Sequence, residues 1–212
     1  KRSHRVFCGR NAAADCAQRR PHKNKQSWMV SQGPQSQVEA QEPCGRFRLF
    51  RGSELVVVES SLCRLVEGGF YWGSLGVGEA HNLLRRRAVG TFLVRDSCQP
   101  DHLFTLSARG HEGPLSVRLA FTGGRFALEP ALPFPCVVEL LDYYAGLGPR
   151  APVTFQSGVS LALASPLRKP GVPPLQALCR RNLVRTFGRE GLESLPLSPR
   201  IRSYIERFPF KI

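Results

Sequence analysis

Arg95 is the residue whose chemistry the sequence indicates most clearly. It ends the apolar run of residues 92–94, within TFLVRDS, and such a run is typical of a strand buried on both faces. A guanidinium at the end of a buried strand is costly unless an anion meets it. Asp96 is a poor partner, because alternation along a strand directs its side chain to the opposite face. An arginine that extends into solvent is the alternative, and Arg95 alone does not decide between the two.

The residues around Arg95 favour a phosphate as that anion. A planar guanidinium can donate two parallel hydrogen bonds to two phosphate oxygens. The hydroxyls of Thr91 and Ser97 and the free backbone amides of residues 98–101 could complete a pocket around a dianion. The sequence therefore predicts a phosphate-binding pocket at the end of this strand, with Arg95 as its main ligand.

Helical and strand-like segments surround this pocket in a definite order. The motif FYWG, residues 70–73, is followed by a helical stretch at residues 79–90. Strand-like runs come next, at residues 102–109 and 114–121, and apolar and polar side chains alternate in the second run. Residues 136–146 then form an apolar, helix-like segment. A helix, a set of antiparallel strands and a second helix predict an α+β fold.

These motifs resemble those of a Src-homology-2 (SH2) domain, whose fold is a central antiparallel sheet flanked by two helices. FYWG is similar to the family's opening W-Y-x-G motif, and FLVRDS is similar to its phosphotyrosine-binding strand. The resemblance runs from Phe70 to about Leu163, and we place the domain at residues 70–165. It implies that the chain binds phosphotyrosine through Arg95 and Ser97.

Two positions depart from the pattern of many SH2 domains. Those domains carry a second arginine in the first helix, where this sequence has Val77, and a histidine where it has Leu119. The resemblance therefore leaves the phosphate to Arg95, Ser97, the loop amides and Arg118, which would project from the next strand. For Arg118, an ordinary solvent-facing strand residue is the alternative.

A second helical pattern, at residues 173–184, carries four apolar side chains at spacings of 3, 1 and 4. They are Leu175, Leu178, Cys179 and Leu183. Residues at these spacings share one face of a helix, and residues 180–182 take the opposite side. The chain offers this stripe little to pack against, so a partner protein is its natural contact. The pattern resembles the elongin-binding motif of a SOCS box, in which a small buried hydrophobe such as Cys179 is expected.

The following residues resemble the cullin-binding part of a SOCS box, which usually reads Leu-Pro-Φ-Pro. The corresponding residues here are Leu195, Pro196 and Leu197. Ser198 stands in the fourth place, with Pro199 after it, so we expect weakened cullin binding. The chain ends FPFKI, as the boxes of this family do. We therefore predict a linker at residues 166–172 and a small all-α SOCS box at residues 173–212.

The segment before the SH2 motif begins with CGRFRLFRG, residues 44–52, and continues with a helical pattern at residues 53–69. The apolar stripe of that pattern is Leu55, Val58, Leu62, Leu65 and Val66. Ser53 is a candidate N-cap and Gly68-Gly69 a candidate stop, whereas three consecutive valines favour a strand instead. An extra helix preceding the SH2 domain is the prediction.

These two segments resemble the kinase inhibitory region and the extended SH2 helix of suppressors that block Janus kinases directly. The inhibitory residues that the resemblance implies are Arg46, Phe47, Arg48, Phe50 and Arg51. Without the FRLFR motif, phenylalanines in a basic segment would be interpreted as a generic binding or membrane-touching tail.

Composition bounds the other interpretations. The chain has 212 residues, a net charge of +14 and seven cysteines, an odd number that suits a reducing compartment. Residues 1–28 hold eight Lys or Arg and one Asp, half of the net charge, so the charge argues only weakly for nucleic-acid binding. Residues 1–43 are predicted to be a disordered basic region. Since Met29 is the chain's only methionine, residues 1–28 could lie upstream of a natural start.

No catalytic, metal or cofactor site is predicted, and no apolar run is long enough to suggest a membrane span. His4, Cys8, Cys16 and His22 have spacings that fit no zinc pattern well. A P-loop, a pair of catalytic carboxylates and a Cys/His nucleophile arrangement are all missing from the sequence.

An SH2 domain followed by a SOCS box resembles the suppressor of cytokine signaling family. The resemblance implies a non-enzymatic negative regulator of cytokine signaling through Janus kinases, located in the cytoplasm, with the nucleus as a second location. The implied partners are tyrosine-phosphorylated receptors and Janus kinases, elongin B/C, and a cullin-five-type ubiquitin ligase. The alternatives are a phosphotyrosine-binding module without ligase recruitment and a basic nucleic-acid-binding protein, whose binding would depend steeply on salt.

Overall fold

The computed structural model describes residues 52–99, 102–128, 132–148, 152–155 and 160–212, together with the backbone of two short strands at residues 4–6 and 48–50. The elements are β1 (His4–Val6), β2 (Arg48–Phe50), α1 (Gly52–Gly68), α2 (Val77–Arg85), β3 (Thr91–Asp96), β4 (Phe104–Arg109), β5 (Pro114–Arg118), β6 (Ala120–Thr122), β7 (Arg125–Ala127), α3 (Val137–Leu147), β8 (Val153–Thr154), β9 (Ser160–Leu161), β10 (Ser165–Pro166), α4 (Leu175–Glu193) and α5 (Pro199–Glu206). Across the described ranges, no helix is both long and apolar enough to cross a membrane.

The central sheet has four strands in the order β10, β3, β4, β5. The last three are antiparallel neighbours, and β3 is buried along its whole length. One of its faces, at Leu93, packs against α2, while Phe92 and Val94 on the other face join the main core with α1 and α3. The predicted α+β fold is confirmed, since helices cover both faces of an antiparallel sheet.

Two strand predictions need correction. The run at residues 114–121 was predicted as one strand, but Leu119 separates β5 from β6, which pairs with β7 in its own small sheet. The backbone amide of Leu119 still donates to the carbonyl of Phe104 on β4, at 2.9 Å, and from Ala120 onward the chain pairs with β7 instead. The second correction concerns β10, which pairs parallel with β3 at the edge of the sheet and was not predicted from the sequence.

Residues 165–169, which include the start of the predicted linker, are held along the SH2 core by hydrogen bonds. The indole N–H of Trp72 donates to the carbonyl of Leu167 at 2.9 Å. The backbone amide of Lys169 donates to the carbonyl of Gly69 at 2.8 Å. The chain therefore leaves the sheet along the motif FYWG, whose second aromatic residue, Tyr71, bridges to Val94 of β3.

Helix α1 is the extra helix that the sequence predicts before the SH2 domain. Val58 and Leu65 are buried in the main core, but Val66 is 45% exposed and does not belong to the buried stripe. The helix begins at Gly52, so Ser53 lies inside its first turn and is not the predicted N-cap. The predicted stop is confirmed, because Gly69 has a φ of 77°, which favours glycine.

The C-terminal tail packs into the same core as the SH2 domain. Phe208, Phe210 and Ile212 are buried in the main cluster together with residues of α1 and α3. The carboxylate of Asp142 on α3 accepts hydrogen bonds from the amides of Lys211, at 2.8 Å, and Ile212, at 3.2 Å. Burial raises the pKa of Asp142 above its ordinary value, and those two hydrogen bonds oppose the rise. The tail therefore joins the two predicted domains.

Residues 173–212, predicted to be a SOCS box, form a small helical unit in the structure. Its helix α4 bends at Gly188, which has a φ of 68°. Val184, Leu192 and Ile205 form a second core between α4 and α5.

An ion pair joins one side of α4 to α1. There Arg180, only 4% exposed, donates from Nη1 to Glu67 of α1 at 2.6 Å. Its guanidinium also lies over the rings of Tyr204 and Phe208.

Candidate functional site

Arg95 lies at the end of β3, on the face that α2 covers, and is 5% exposed. Its Nε donates to the hydroxyl of Ser107 at 3.1 Å, and its Nη1 donates to the carbonyl of Asp96 at 3.3 Å. Alternation sends the Asp96 side chain to the other face, where its carboxylate accepts a hydrogen bond from the hydroxyl of Tyr71. The structure thus places a buried guanidinium whose hydrogen bonds, within the described ranges, go to neutral oxygens.

A line of hydroxyl groups runs from Arg95 across the sheet. The hydroxyl of Ser107 on β4 lies 2.9 Å from that of Ser116 on β5. The latter lies 3.1 Å from Nε2 of His81 on α2. Ser107, Ser116 and His81 were missed by the sequence analysis. Alternation in the run PLSVR, which puts Ser116 on the same face as Arg118, was the one available signal.

The surroundings of His81 disfavour a positive charge on its imidazole. Partial burial lowers the pKa of His81 most, and the positive charges of Arg95 and Arg85 lower it further. Arg85, at the end of α2, is exposed, whereas Arg95 is buried beside the hydroxyl line. The site is therefore rich in positive charge before any ligand is present, and it is suited to an anion.

The predicted companions of Arg95 lie at different places around it. Ser97 follows the strand, and its hydroxyl accepts a hydrogen bond from the amide of Gln99 at 3.2 Å. Cys98 is exposed in the same turn. Residues 100 and 101, also predicted to line the pocket, lie outside the described ranges. Thr91 is at the other end of β3, about 13 Å from Arg95 by strand rise, so its place in the pocket was predicted wrongly.

Arg118 is on the same face of the sheet as Arg95 but not on the neighbouring strand. The register pairs Arg95 with Thr105, and Thr105 with Arg118. Two strand spacings, about 10 Å, therefore separate the backbones of the two arginines. Arg118 is exposed, so its long side chain can reach toward a ligand bound over β4. Val77, where many SH2 domains have an arginine, is exposed at the start of α2.

The predicted elongin-binding stripe begins on the outward face of α4. Leu175 is 75% exposed, and both Leu178 and Cys179 are exposed beside it. Leu183 differs, because it is partly buried against the small core of the box. The structure therefore brings three of the four predicted residues together on an exposed apolar face, the kind of surface that marks a protein interaction site.

The predicted cullin-binding residues lie between α4 and α5. Leu195 and Leu197 are partly buried against the core of the box, whereas Pro196 is exposed. Ser198 is the N-cap of α5, and its hydroxyl accepts a hydrogen bond from the amide of Ile201 at 3.4 Å. Pro199 occupies the first turn, where proline is favoured.

The predicted kinase inhibitory residues fall mostly outside the described ranges. Arg46, Phe47 and Arg51 are not described, and for Arg48 and Phe50 only the backbone of β2 is given. That strand pairs antiparallel with β1. The sequence analysis also considered four residues whose spacing fits no zinc site, and three of them, Cys8, Cys16 and His22, lie outside the described ranges. Among the described residues, no group of three or more metal-ligating side chains is present.

Two family models match the chain. Residues 70–144 match the SH2 domain, and residues 171–206 match the SOCS box. The first match includes Arg95 and the whole hydroxyl line, and the second includes the exposed stripe of α4.

Relatives of known name cover most of the chain. Suppressor of cytokine signaling 1 of Homo sapiens is 46% identical over 145 residues, which are 68% of this chain and 64% of that protein. The Mus musculus protein of the same name is 42% identical over 78% of this chain and 74% of its own length. The cytokine-inducible SH2-containing protein of Gallus gallus is 34% identical over 84% of this chain and 82% of its own. The match thus spans less than two thirds of the human relative. The chain belongs to the suppressor of cytokine signaling family and contains an SH2 domain followed by a SOCS box.

Proposed function

We propose that this chain is a phosphotyrosine-binding adaptor in which Arg95 holds the phosphate. The observation that carries the proposal is a guanidinium only 5% exposed, hydrogen-bonded to a hydroxyl and a carbonyl and not to a carboxylate within the described ranges. A buried charge is stable only when it is compensated, and a bound phosphate would supply the compensation. Ser97, the amides of its turn and Arg118 would be the further donors.

Substitution of Arg95 by lysine tests this pocket. An ammonium group cannot reproduce the two parallel hydrogen bonds of the guanidinium, so the affinity for a phosphotyrosine peptide should fall by about 3 kcal/mol. Titration calorimetry with the full chain measures the loss. Arg125→Lys is the matched control, because Arg125 is exposed on β7. Equal affinities for the wild type and Arg95→Lys would show that the phosphate binds elsewhere.

The SOCS box is proposed to recruit a ubiquitin ligase. Leu175, Leu178 and Cys179 would enter an apolar pocket of elongin C, with Leu183 behind them, and the exposed stripe of α4 supports this assignment. The segment of Leu195, Pro196 and Leu197 would contact a cullin of the cullin-five type. Because the chain has no proposed chemistry of its own, it would act by bringing a bound protein to the ligase.

The third activity is inhibition of a Janus kinase by residues 44–52. Arg46, Phe47, Arg48, Phe50 and Arg51 would occupy the substrate groove of the kinase as a pseudosubstrate. Family membership and the motif FRLFR support this assignment. The partners of the chain would be activated cytokine receptors and Janus kinases. The chain would act in the cytoplasm, with the nucleus as a second location.

The three activities would reinforce one another through proximity. Once the SH2 domain holds a phosphotyrosine on a receptor or kinase, the inhibitory segment and the ligase meet their targets at high effective concentration. The result would be a negative regulator of signaling through Janus kinases that both blocks the kinase and marks the bound protein for ubiquitination.

A phosphotyrosine adaptor without ligase recruitment is the second candidate. The observation that favours it is the burial of Phe208, Phe210 and Ile212 in the SH2 core, which makes the box a cover for an apolar surface. Co-purification of the full chain with elongin B/C from cytokine-treated cells distinguishes the two functions. Capture of elongins by the wild type but not by a variant of the α4 stripe supports the ligase function.

A further inference from the structure

His81 lies on α2, the helix that covers the face of the sheet on which Arg95 lies, beside the proposed phosphate pocket. It is four residues after Val77, the position at which many SH2 domains carry their second arginine. Residues four apart share one face of a helix, so His81 faces the same side as that position, one turn further along. A chain of hydrogen bonds connects His81 to Arg95 through the hydroxyls of Ser116 and Ser107.

Among the residues that the structure describes, the charged side chains on this side of the sheet are cations. They are Arg85 on α2, Arg95 on β3, Arg109 at the end of β4 and Arg118 on β5. The neighbouring carboxylates are engaged elsewhere. Asp96 accepts from Tyr71 on the opposite face, and Glu79 accepts from the amide of Gly76 at the start of α2. A neutral imidazole is the natural state of His81 in such surroundings, as long as no anion is bound.

On the basis of the proposed phosphotyrosine function, we propose that His81 is a proton-linked ligand of the phosphate. When the dianion enters beside Arg95, the imidazole takes up one proton from solvent and donates an N–H to a phosphate oxygen. The phosphate supplies the negative charge that this group of cations lacks, so the protonated imidazole becomes favourable only in the complex. His81 thus takes over the task of the arginine that Val77 replaces.

The bound phosphate would reverse the preference of His81 for its neutral form in the free chain. In the free chain, burial and the charges of Arg95 and Arg85 lower the pKa of His81 below its ordinary 6.5. A dianion at hydrogen-bonding distance outweighs both arginines, since it is nearer and carries twice the charge of either. The pKa of His81 must therefore rise on binding. By linkage, the affinity for the phosphate must rise as the pH falls from the pKa of His81 in the complex to its pKa in the free chain.

Nuclear magnetic resonance of the full chain measures this rise directly. The imidazole signal of His81 is titrated against pH in the free chain, with a saturating phosphotyrosine peptide, and with the unphosphorylated peptide. We expect a higher pKa only with the phosphorylated peptide. Inorganic phosphate alone, at high concentration, should produce the same direction of change, since the ligand chemistry is that of the phosphate group. A pKa in the complex equal to or below that of the free chain overturns the proposal.

Calorimetry with variants provides the second measurement. His81→Gln keeps a hydrogen-bonding partner for Ser116 but cannot become a cation. The ratio of its Kd to that of the wild type should rise about threefold or more between pH 8 and pH 6. Titration of the free peptide's phosphate, near pH 6, is common to both proteins and cancels in the ratio. His111→Gln, in the exposed turn between β4 and β5, is the matched control and should give a constant ratio near one.

The outcomes separate this proposal from the one on which it rests. If the wild type binds the phosphopeptide but the His81→Gln ratio is constant with pH, His81 only pins α2 to the sheet, and the proton link is wrong. If Arg95→Lys abolishes binding in that same case, the proposed phosphotyrosine function still stands. If the wild type binds no phosphopeptide at any pH, both proposals fall together.

Discussion

Replacement of Arg180 by methionine should loosen the SOCS box from the SH2 domain. Arg180 projects from the side of α4 opposite the exposed stripe and donates to Glu67 of α1 at 2.6 Å. Its guanidinium carbon lies 4.6 Å from the ring centre of Tyr204 and 5.1 Å from that of Phe208. Methionine keeps most of the length and packing of the side chain but removes the charge, the hydrogen bonds and the cation–π contacts.

The loss of stability follows from these contacts. A hydrogen bond between charged groups contributes about 1.5–3 kcal/mol, and each cation–π contact about 0.5–2 kcal/mol. Since Glu67 is 39% exposed, its carboxylate returns to water when the arginine is gone and adds little penalty. Methionine recovers part of the ring packing, so the net loss should be about 2–3 kcal/mol. Glu67→Gln should cost at least as much, because it leaves a guanidinium 4% exposed without its anion.

Urea unfolding of the full chain measures the loss, and amide hydrogen exchange locates it. Protection should fall in α4 and α5 and remain in β3 and β4. Arg200→Met is the matched control, because Arg200 is exposed on α5, and it should change the free energy of unfolding by less than about 0.5 kcal/mol. In the double variant of Arg180 and Glu67 the two losses should not add, because both remove one interaction. An Arg180→Met variant as stable as the control would refute this account of the junction.

Three further predictions concern other parts of the chain. Phe47→Ala with Phe50→Ala should abolish inhibition of a purified Janus kinase and leave phosphopeptide affinity unchanged; equal inhibition would exclude the segment. Leu175→Ala with Cys179→Gln should abolish capture of elongin B/C but change the free energy of unfolding by less than about 0.5 kcal/mol, since both side chains are exposed. Because burial raises the pKa of Asp142 above 3.8, the folded chain holds that proton more tightly than the unfolded chain. Stability should therefore fall as the pH rises from about 4 through the folded value, and urea unfolding should show that Asp142→Asn removes this fall.

The features that were predicted correctly are those determined by residues close together in the sequence. The burial of β3 and the opposite directions of Arg95 and Asp96 follow from a period of two, which any strand obeys. The end of α1 at Gly69 follows from the backbone freedom of glycine. Such features need no knowledge of which strand lies beside which.

The features that were missed depend on register and packing between elements. Ser107 meets Arg95 because β4 runs antiparallel to β3 in one particular register, and His81 joins them because α2 turns that side toward the sheet. Neither relation is present in a local pattern. Thr91 was misplaced for the same reason, since sharing a face with Arg95 does not bring it near the end of the strand.

Arg180 shows a further limit of periodicity. Helical spacing correctly separated the apolar residues of α4 from Arg180, but it does not tell which of two faces is buried in the chain. The apolar face at Leu175 is exposed, and the arginine is buried. The guanidinium of Arg180 can be buried because it stacks on the rings of Tyr204 and Phe208. Those rings come from a later part of the chain, so the spacing of residues within α4 does not reveal them.

Helix α1 makes the proposed activities depend on a single framework. It begins at Gly52, the last residue of the proposed inhibitory segment, packs on α3 in the SH2 core, and contacts the box through Glu67. Its Arg64 also lies 5.7 Å from the ring centre of Phe210 in the C-terminal tail. Helix α1 therefore lies next in the chain to the proposed inhibitory segment and contacts both the SH2 core and the helix that carries the proposed elongin-binding stripe. A gain in effective concentration requires that linked sites can engage together, so a firm junction at α1 is what would let one docked phosphotyrosine serve both kinase inhibition and ligase recruitment.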